Sequence, residues 1–323
     1  MKRISHLFRF WIIILAISSS QHALAAEIRI GYAPNTFYTP ILVAKHKQWL
    51  EEELAALDNG VHSVKWQSFS AGPMMNEAIA AGQLDVIFTG DLPAILGKSV
   101  GFDVSLIGIS SSGYNSQAGV IAANSSITSV AELKGKKVAT FKGSTAHHLL
   151  VLALKEVNLE PTDIELINLE LPDMNNALQR GDVDAVFLWE PMLSKLELDR
   201  TVKVLRDGKG LKNAVAVIQA TDSFIANNPA EAVAVLKAYQ RGAELISQNP
   251  NQAATLVAAE LGQPVSIISL SLDKFTYSLD FTTEVVDALF NTEVFLAEQG
   301  MIRQRVDIDR FINRSLLHEL KGQ

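Results

Sequence analysis

Three short segments of this 323-residue chain have the composition of an anion-binding site: Ser70-Ala71-Gly72-Pro73, Thr89-Gly90-Asp91 and Gly143-Ser144-Thr145. Each stands where a helix is about to begin. Small residues let the backbone come close to a ligand. The first turn of a helix adds unpaired N–H groups and the positive end of the dipole. Thr89, Ser144 and Thr145 bring hydroxyl donors as well. Any one segment alone reads more readily as the capping turn that every helix needs, but three of them on separate stretches shift the balance toward a shared site. One helix end contributes about 0.3–1 kcal/mol in water, whereas micromolar binding requires about 8 kcal/mol. Such a site must therefore exclude water to strengthen its hydrogen bonds, as two closing lobes would.

Trp189-Glu190-Pro191 follows an apolar run. Trp189 reads either as the wall of a pocket for an apolar tail or as a core residue. Glu190 either accepts from a donor on a ligand or braces a loop. A carboxylate aimed at an anion repels it, so Asp91 is expected to hold backbone N–H groups or a contact between lobes. Phe37 and Tyr38, in the loop after the first strand, either line the cleft or pack on the surface. Enzyme motifs fail on context. Gly97-Lys98-Ser99-Val100-Gly101 fits G-x-S-x-G but closes a predicted helix instead of joining strand to helix. The P-loop that Gly97-Lys98-Ser99 suggests lacks its earlier glycine, because Leu92 stands there. His147 and His148 are adjacent on a helix and diverge, a poor metal pair. No metal and no cofactor is expected.

The elements that must position these residues include a near-repeat. Residues 73–91, PMMNEAIAAGQLDVIFTGD, match 172–190, PDMNNALQRGDVDAVFLWE, 99 positions apart without a gap. Pro73/Pro172, Met75/Met174, Asn76/Asn175, Ala78/Ala177, Gly82/Gly181, Asp85/Asp184 and Phe88/Phe187 are identical. Each copy reads as a helix, a Gly stop, a buried strand and a terminal carboxylate. Ligands of open α/β sheets bind outside the carboxyl ends of the strands. The expected fold is therefore α/β with two lobes around a cleft. Strands are expected at 27–32, 61–69, 84–89 and 104–109 in one lobe, with one helix over 39–57. In the other they are expected at 117–122, 137–141, 165–169 and 185–188. After 214–220 the chain turns helical. Lobe 1 is assigned to 26–112 plus 221–323 and lobe 2 to 117–216, with hinge crossovers at 113–116 and 217–220.

The first 25 residues read as a signal peptide. Lys2, Arg3 and Arg9 precede the apolar run 11–17, and Ala23-Leu24-Ala25 is an A-x-A cleavage site. The run is too short to span a bilayer, which takes about 20 residues. Cleavage near Ala25 would release the mature chain into the periplasm. It also removes three positive charges and no negative ones, making a chain of net charge −7 more acidic still. That argues against nucleic-acid binding, which shows as a basic patch. There is no cysteine, so the core must hold without disulfides.

The segments 69–73, 89–93, 142–147 and 189–191 occur in the order of motifs in the aliphatic sulfonate-binding proteins of ABC importers, which the chain resembles. The connecting pieces 129–139 and 181–185 are also similar. The resemblance implies a type II periplasmic binding protein fold, a monomer, and one small anionic solute handed to a permease driven by an ATPase. Carried over by motif, Gly72, Gly90, Gly143, Ser144 and Thr145 would meet the anionic head, where the Thr89 hydroxyl is also expected from its place at a helix start. Asp91, Gln117, Trp189 and Glu190 would complete the site. Two departures stand out: the segment 33–38 is longer than in alkanesulfonate binders, and Glu190 stands where Asp is expected. The wider group also takes taurine, nitrate and thiamine pyrimidine precursors. A pyrimidine-synthesis enzyme shares the fold but resembles a cysteine-rich cytosolic protein, unlike this chain. A sensory role remains open alongside transport.

Overall fold

A computed structural model describes residues 26–57, 59–60 and 62–322; the expected signal segment 1–25 lies outside them. The first part of the chain runs β1 (Ala26–Tyr32), α1 (Thr39–Lys47), α2 (Trp49–Ala55), β2 (His62–Ser68), α3 (Gly72–Ala80), β3 (Val86–Gly90), α4 (Asp91–Ser99) and β4 (Val104–Gly113). The middle part runs β5 (Gln117–Ala122), β6 (Lys137–Thr140), α5 (Thr145–Glu156), β7 (Glu165–Asn168), α6 (Leu171–Arg180), β8 (Ala185–Trp189), α7 (Met192–Leu198) and β9 (Val202–Asp207). The chain then returns through β10 (Ala214–Thr221) to α8 (Asp222–Asn227), α9 (Pro229–Gln248), α10 (Pro250–Val257), α11 (Val265–Leu272), α12 (Thr283–Glu298), α13 (Ile308–Phe311) and α14 (Ser315–Gly322). No described helix is long and apolar enough to cross a membrane.

Two five-stranded sheets result, ordered β2-β1-β3-β10-β4 and β7-β6-β8-β5-β9. In each, three strands run parallel and the fourth is antiparallel to both neighbours. The sequence near-repeat falls on equivalent places: β3 and β8 are both third in order, each preceded by its helix. The shared residues do the same work twice. Gly82 and Gly181 end the helices at φ of 66° and 75°, a region open to Gly at little cost. Met75, Met174, Phe88 and Phe187 are fully buried. Asp85 and Asp184 accept hydrogen bonds from the backbone N–H of Arg29 and Lys137, at 2.8 and 2.9 Å, pinning the neighbouring parallel strand.

Two features differ from the expectation. The single helix over 39–57 is two, broken at Gln48, which adopts a left-handed φ of 57°. The turn lets α2 bury Leu50 and Leu54 independently of the face that α1 buries. Residues 217–220, expected as a crossover, lie inside β10, paired on both sides in the first sheet. Residues 214–218 and 220 are all buried and apolar, which suits a central strand and not a hinge. The polar segment 208–213 makes the passage instead. It meets the other crossover directly, since Gly208 N–H donates to the Tyr114 carbonyl at 3.0 Å. A Cβ on Gly208 would collide with that same carbonyl.

Candidate functional site

A cavity opens between the sheets. Its walls come from the carboxyl ends of five strands: Ala33 beyond β1, Ser70 and Ala71 beyond β2, Gly90 ending β3, Phe141 beyond β6 and Trp189 ending β8. This is where open α/β sheets bind ligands. Three helix starts line it. Ala71 and Ser144 are the N-caps of α3 and α5, with Gly72 and Thr145 opening the helices, and Gly90 is the N-cap of α4. The first turns of α3 and α5 carry no acidic residue. Their free N–H groups and dipole ends thus present uncompensated positive potential from both sides. The Ser144 hydroxyl accepts from His147 N–H at 3.2 Å, which leaves its own proton available.

Glycine is needed at two of these points for approach. A Cβ on Gly72 would stand 2.7 Å from Thr89 Oγ1, and one on Gly90 would stand 3.0 Å from Thr145 Oγ1 of the opposite lobe. The Thr89 hydroxyl is buried and has no hydrogen-bond partner among the described residues. It lies directly behind Gly72, so Thr89 does not line the cavity itself.

The structure brings Gly72, Gly90, Gly143, Ser144, Thr145 and Trp189 to the cavity and keeps Thr89, Asp91, Gln117 and Glu190 behind it. Asp91 is fully buried. Its Oδ1 accepts from Leu92 N–H at 2.8 Å and from the Thr145 hydroxyl at 3.2 Å. Its Oδ2 pairs with Lys212 Nζ at 2.5 Å and accepts from Thr292 at 2.7 Å. Asp91 thus makes the lobe-to-lobe contact expected of a carboxylate that must not face an anion. The Thr145 hydroxyl is spent on it, leaving the Thr145 N–H for the cavity. Glu190, offered as a ligand contact, is instead the brace. It accepts from Ser194 N–H and hydroxyl at 3.2 and 3.0 Å and pairs with Lys274 Nζ of the first lobe at 2.6 Å. Burial pushes the Glu190 carboxyl above the usual range against the pull of Lys274. Burial also opposes the Lys274 charge, but Glu190 outweighs it and holds the ammonium above its usual range. Gln117 sits opposite Trp189 in the β5–β8 pair, fully buried, and its amide has no partner among the described residues.

Neither histidine lines the cavity. His147 is driven down to about 4 by burial and by Lys142, and is neutral near pH 7. His148 stacks on Phe295 of α12 at 3.8 Å between ring centroids. Among the described residues no three His, Asp or Glu gather as metal ligands. Phe37 and Tyr38 do line the cavity, together with Asn35, Pro93 and Phe141. Sequence reasoning did not single out those last three. Phe141 carried a usable signal, as the last apolar residue before the Gly143 turn.

The model of the NMT1-like family matches residues 21–261. The periplasmic aliphatic sulphonate binding protein SsuA from Escherichia coli superposes with a TM-score of 0.78 at 31% identity, covering 89% of this chain and 92% of that one. The alkanesulfonate-binding protein SsuA from Xanthomonas axonopodis pv. citri, bound to MOPS, superposes with a TM-score of 0.81 at 25% identity, covering 90% and 99%. The taurine-binding periplasmic protein of Escherichia coli (strain K12) is 30% identical over 204 residues, 60% of this chain and 61% of that protein.

Proposed function

This chain belongs to the NMT1-like family, and from that membership we propose that it is a periplasmic receptor that captures a small organosulfonate between its lobes. The observation that carries the reading is the pair of helix starts, α3 and α5, one from each lobe. Both are free of carboxylates in the first turn and both open on one cavity walled by Trp189 and Phe141. Tetrahedral sulfonate oxygens suit donors arriving from two sides, namely the N–H groups at Gly72, Gly90, Thr145 and Ala146 and the Ser144 hydroxyl. The aromatic walls take the tail. Residues 1–25 would direct export and be removed near Ala25. The closed, liganded monomer would then dock on an ABC permease and release its cargo at the expense of the ATPase. The chain is a solute-binding protein rather than an enzyme.

The matched taurine-binding protein favours one second reading, capture of taurine itself. Titration calorimetry on the protein lacking residues 1–25, refolded to strip carried-over ligand, separates the two. The panel is ethanesulfonate, hexanesulfonate, an aromatic sulfonate, taurine, nitrate and a hydroxymethylpyrimidine. Micromolar or tighter binding to a tailed sulfonate is expected. Preference for taurine would replace the ligand. Heat from nitrate or the pyrimidine alone would overturn the sulfonate class.

A further inference from the structure

The cavity does not end at Trp189. Ala33, Asn35, Ser70, Ala71, Phe141 and Trp189 also wall a second chamber, which continues to Pro34, Glu170, Leu171 and Pro172 at the start of α6. The two chambers have opposite electrostatic character. The inner one is faced by the first turns of α3 and α5, which hold no carboxylate. The outer one is faced by a helix start that is already compensated. Glu170 is its N-cap, Asp173 lies in its first turn, and Pro172 lacks an N–H. The Glu170 side chain makes no capping bond, and it has no hydrogen-bond or ion-pair partner among the described residues. Its charge is therefore unopposed at the chamber it lines.

Resting on the sulfonate reading above, we propose that Glu170 sets the charge allowed at the far end of the cargo. The sulfonate enters the inner chamber, and the tail end beside Glu170 must be neutral or cationic. Sulfonates with a second anionic end are disfavoured. The remaining outer walls hold no cationic side chain that would offset the repulsion; beside the apolar residues they offer only the neutral polar groups of Asn35, Ser70 and Trp189. Glu170 is exposed to solvent, so a like charge at the far end should weaken binding by about twofold to fivefold.

The test uses three six-carbon sulfonates that differ only at the far end: hexanesulfonate, 6-aminohexanesulfonate and 6-sulfohexanoate. Each is titrated into the wild-type protein and into Glu170→Gln and Glu170→Lys at neutral pH, with melting temperatures checking the fold. In the wild type the carboxylate is expected to bind weakest, and its penalty should shrink in 1 M salt. Glu170→Gln should narrow the spread, and Glu170→Lys should invert the order of the amine and the carboxylate. The same order in wild type and Glu170→Lys overturns the assignment, as does a carboxylate penalty insensitive to salt if the variant fails to fold. Binding of all three with equal affinity to the wild type overturns the filter while keeping the sulfonate reading. Heat from none of the three overturns both.

Discussion

Two hydroxyls near the cavity behave differently, and each yields its own prediction. Thr89 is buried with its hydroxyl unpartnered among the described residues. Leaving a buried polar group unsatisfied costs about 1–3 kcal/mol. Thr89→Val keeps the shape and removes that cost, so the unliganded protein should melt about 2–4 °C higher. Because Thr89 stands behind Gly72 and outside the cavity lining, the same variant should bind ligand with unchanged affinity. A variant that melts lower and binds normally would show that Thr89 has a structural partner instead. Ser144 works in both senses at once, because it caps α5 and offers a proton to the cavity. Glycine replaces Ser at an N-cap for only a few tenths of a kcal/mol. Ser144→Gly should therefore leave melting nearly unchanged while costing about 1–2 kcal/mol in binding. Calorimetry showing unaltered affinity would confine Ser144 to capping.

At the scale of elements, the near-repeat ends twice in a buried carboxylate, and each is tied to a lysine far along the chain. Asp91 ends its copy against Lys212 of the crossover, and Glu190 ends its copy against Lys274. These ties seat the starts of α4 and α7 and hold the lobes together behind the cavity. Removing one partner of a buried pair costs about 3–5 kcal/mol because the other charge is stranded. Lys212→Met should therefore lower the urea midpoint sharply. Lys274 is partly exposed, so Lys274→Met should cost less. Equal losses in both would mean that burial does not set the difference. The alternation of helix, Gly and strand was legible in the sequence because it is written in local periodicity and turn chemistry. So was the place of the cavity, since Gly72, Gly90, Gly143 and Ser144 announce the helix starts that line it. The partners of Asp91 and Glu190 were not legible. Lys212 lies 121 residues from Asp91, and no local pattern marks such a pairing. The passage between sheets at 208–213 was missed for the converse reason: the apolar run after it looked like the natural return, and its burial on both faces shows only in the sheet.

For the whole molecule, the contact between α5 and α12 makes the joined lobes sensitive to acid. His148 of the second lobe is buried against Phe295 of the first. Burial holds its pKa well below 6.5, and the charges of Lys212, His147 and Lys155 press it in the same direction. A depressed basic group contributes stability that is fully present above its unfolded pKa and is lost as pH falls. With His147 held to about 4, the window runs from about 6.5 downward. Each histidine kept neutral there costs up to about 1.4 kcal/mol per pH unit. Glu190 has the opposite sign: its raised pKa means stability is lost as pH rises above about 4.5. The wild-type slope therefore mixes both groups, and a variant is needed to read one of them. His148→Leu keeps an apolar face for Phe295 and cannot bind the proton. Its melting temperature should fall less steeply between pH 6.5 and 4.5 than that of the wild type. Because the stacked pair joins one lobe to the other, its ligand affinity should also fall less steeply over the same range. Parallel slopes in melting would show that His148 takes up its proton in the folded protein as readily as in the unfolded chain, without leaving Phe295. A flatter melting slope with an unchanged affinity slope would show that the α5–α12 contact survives when the cleft opens, which would make it part of the hinge and not of the closed state.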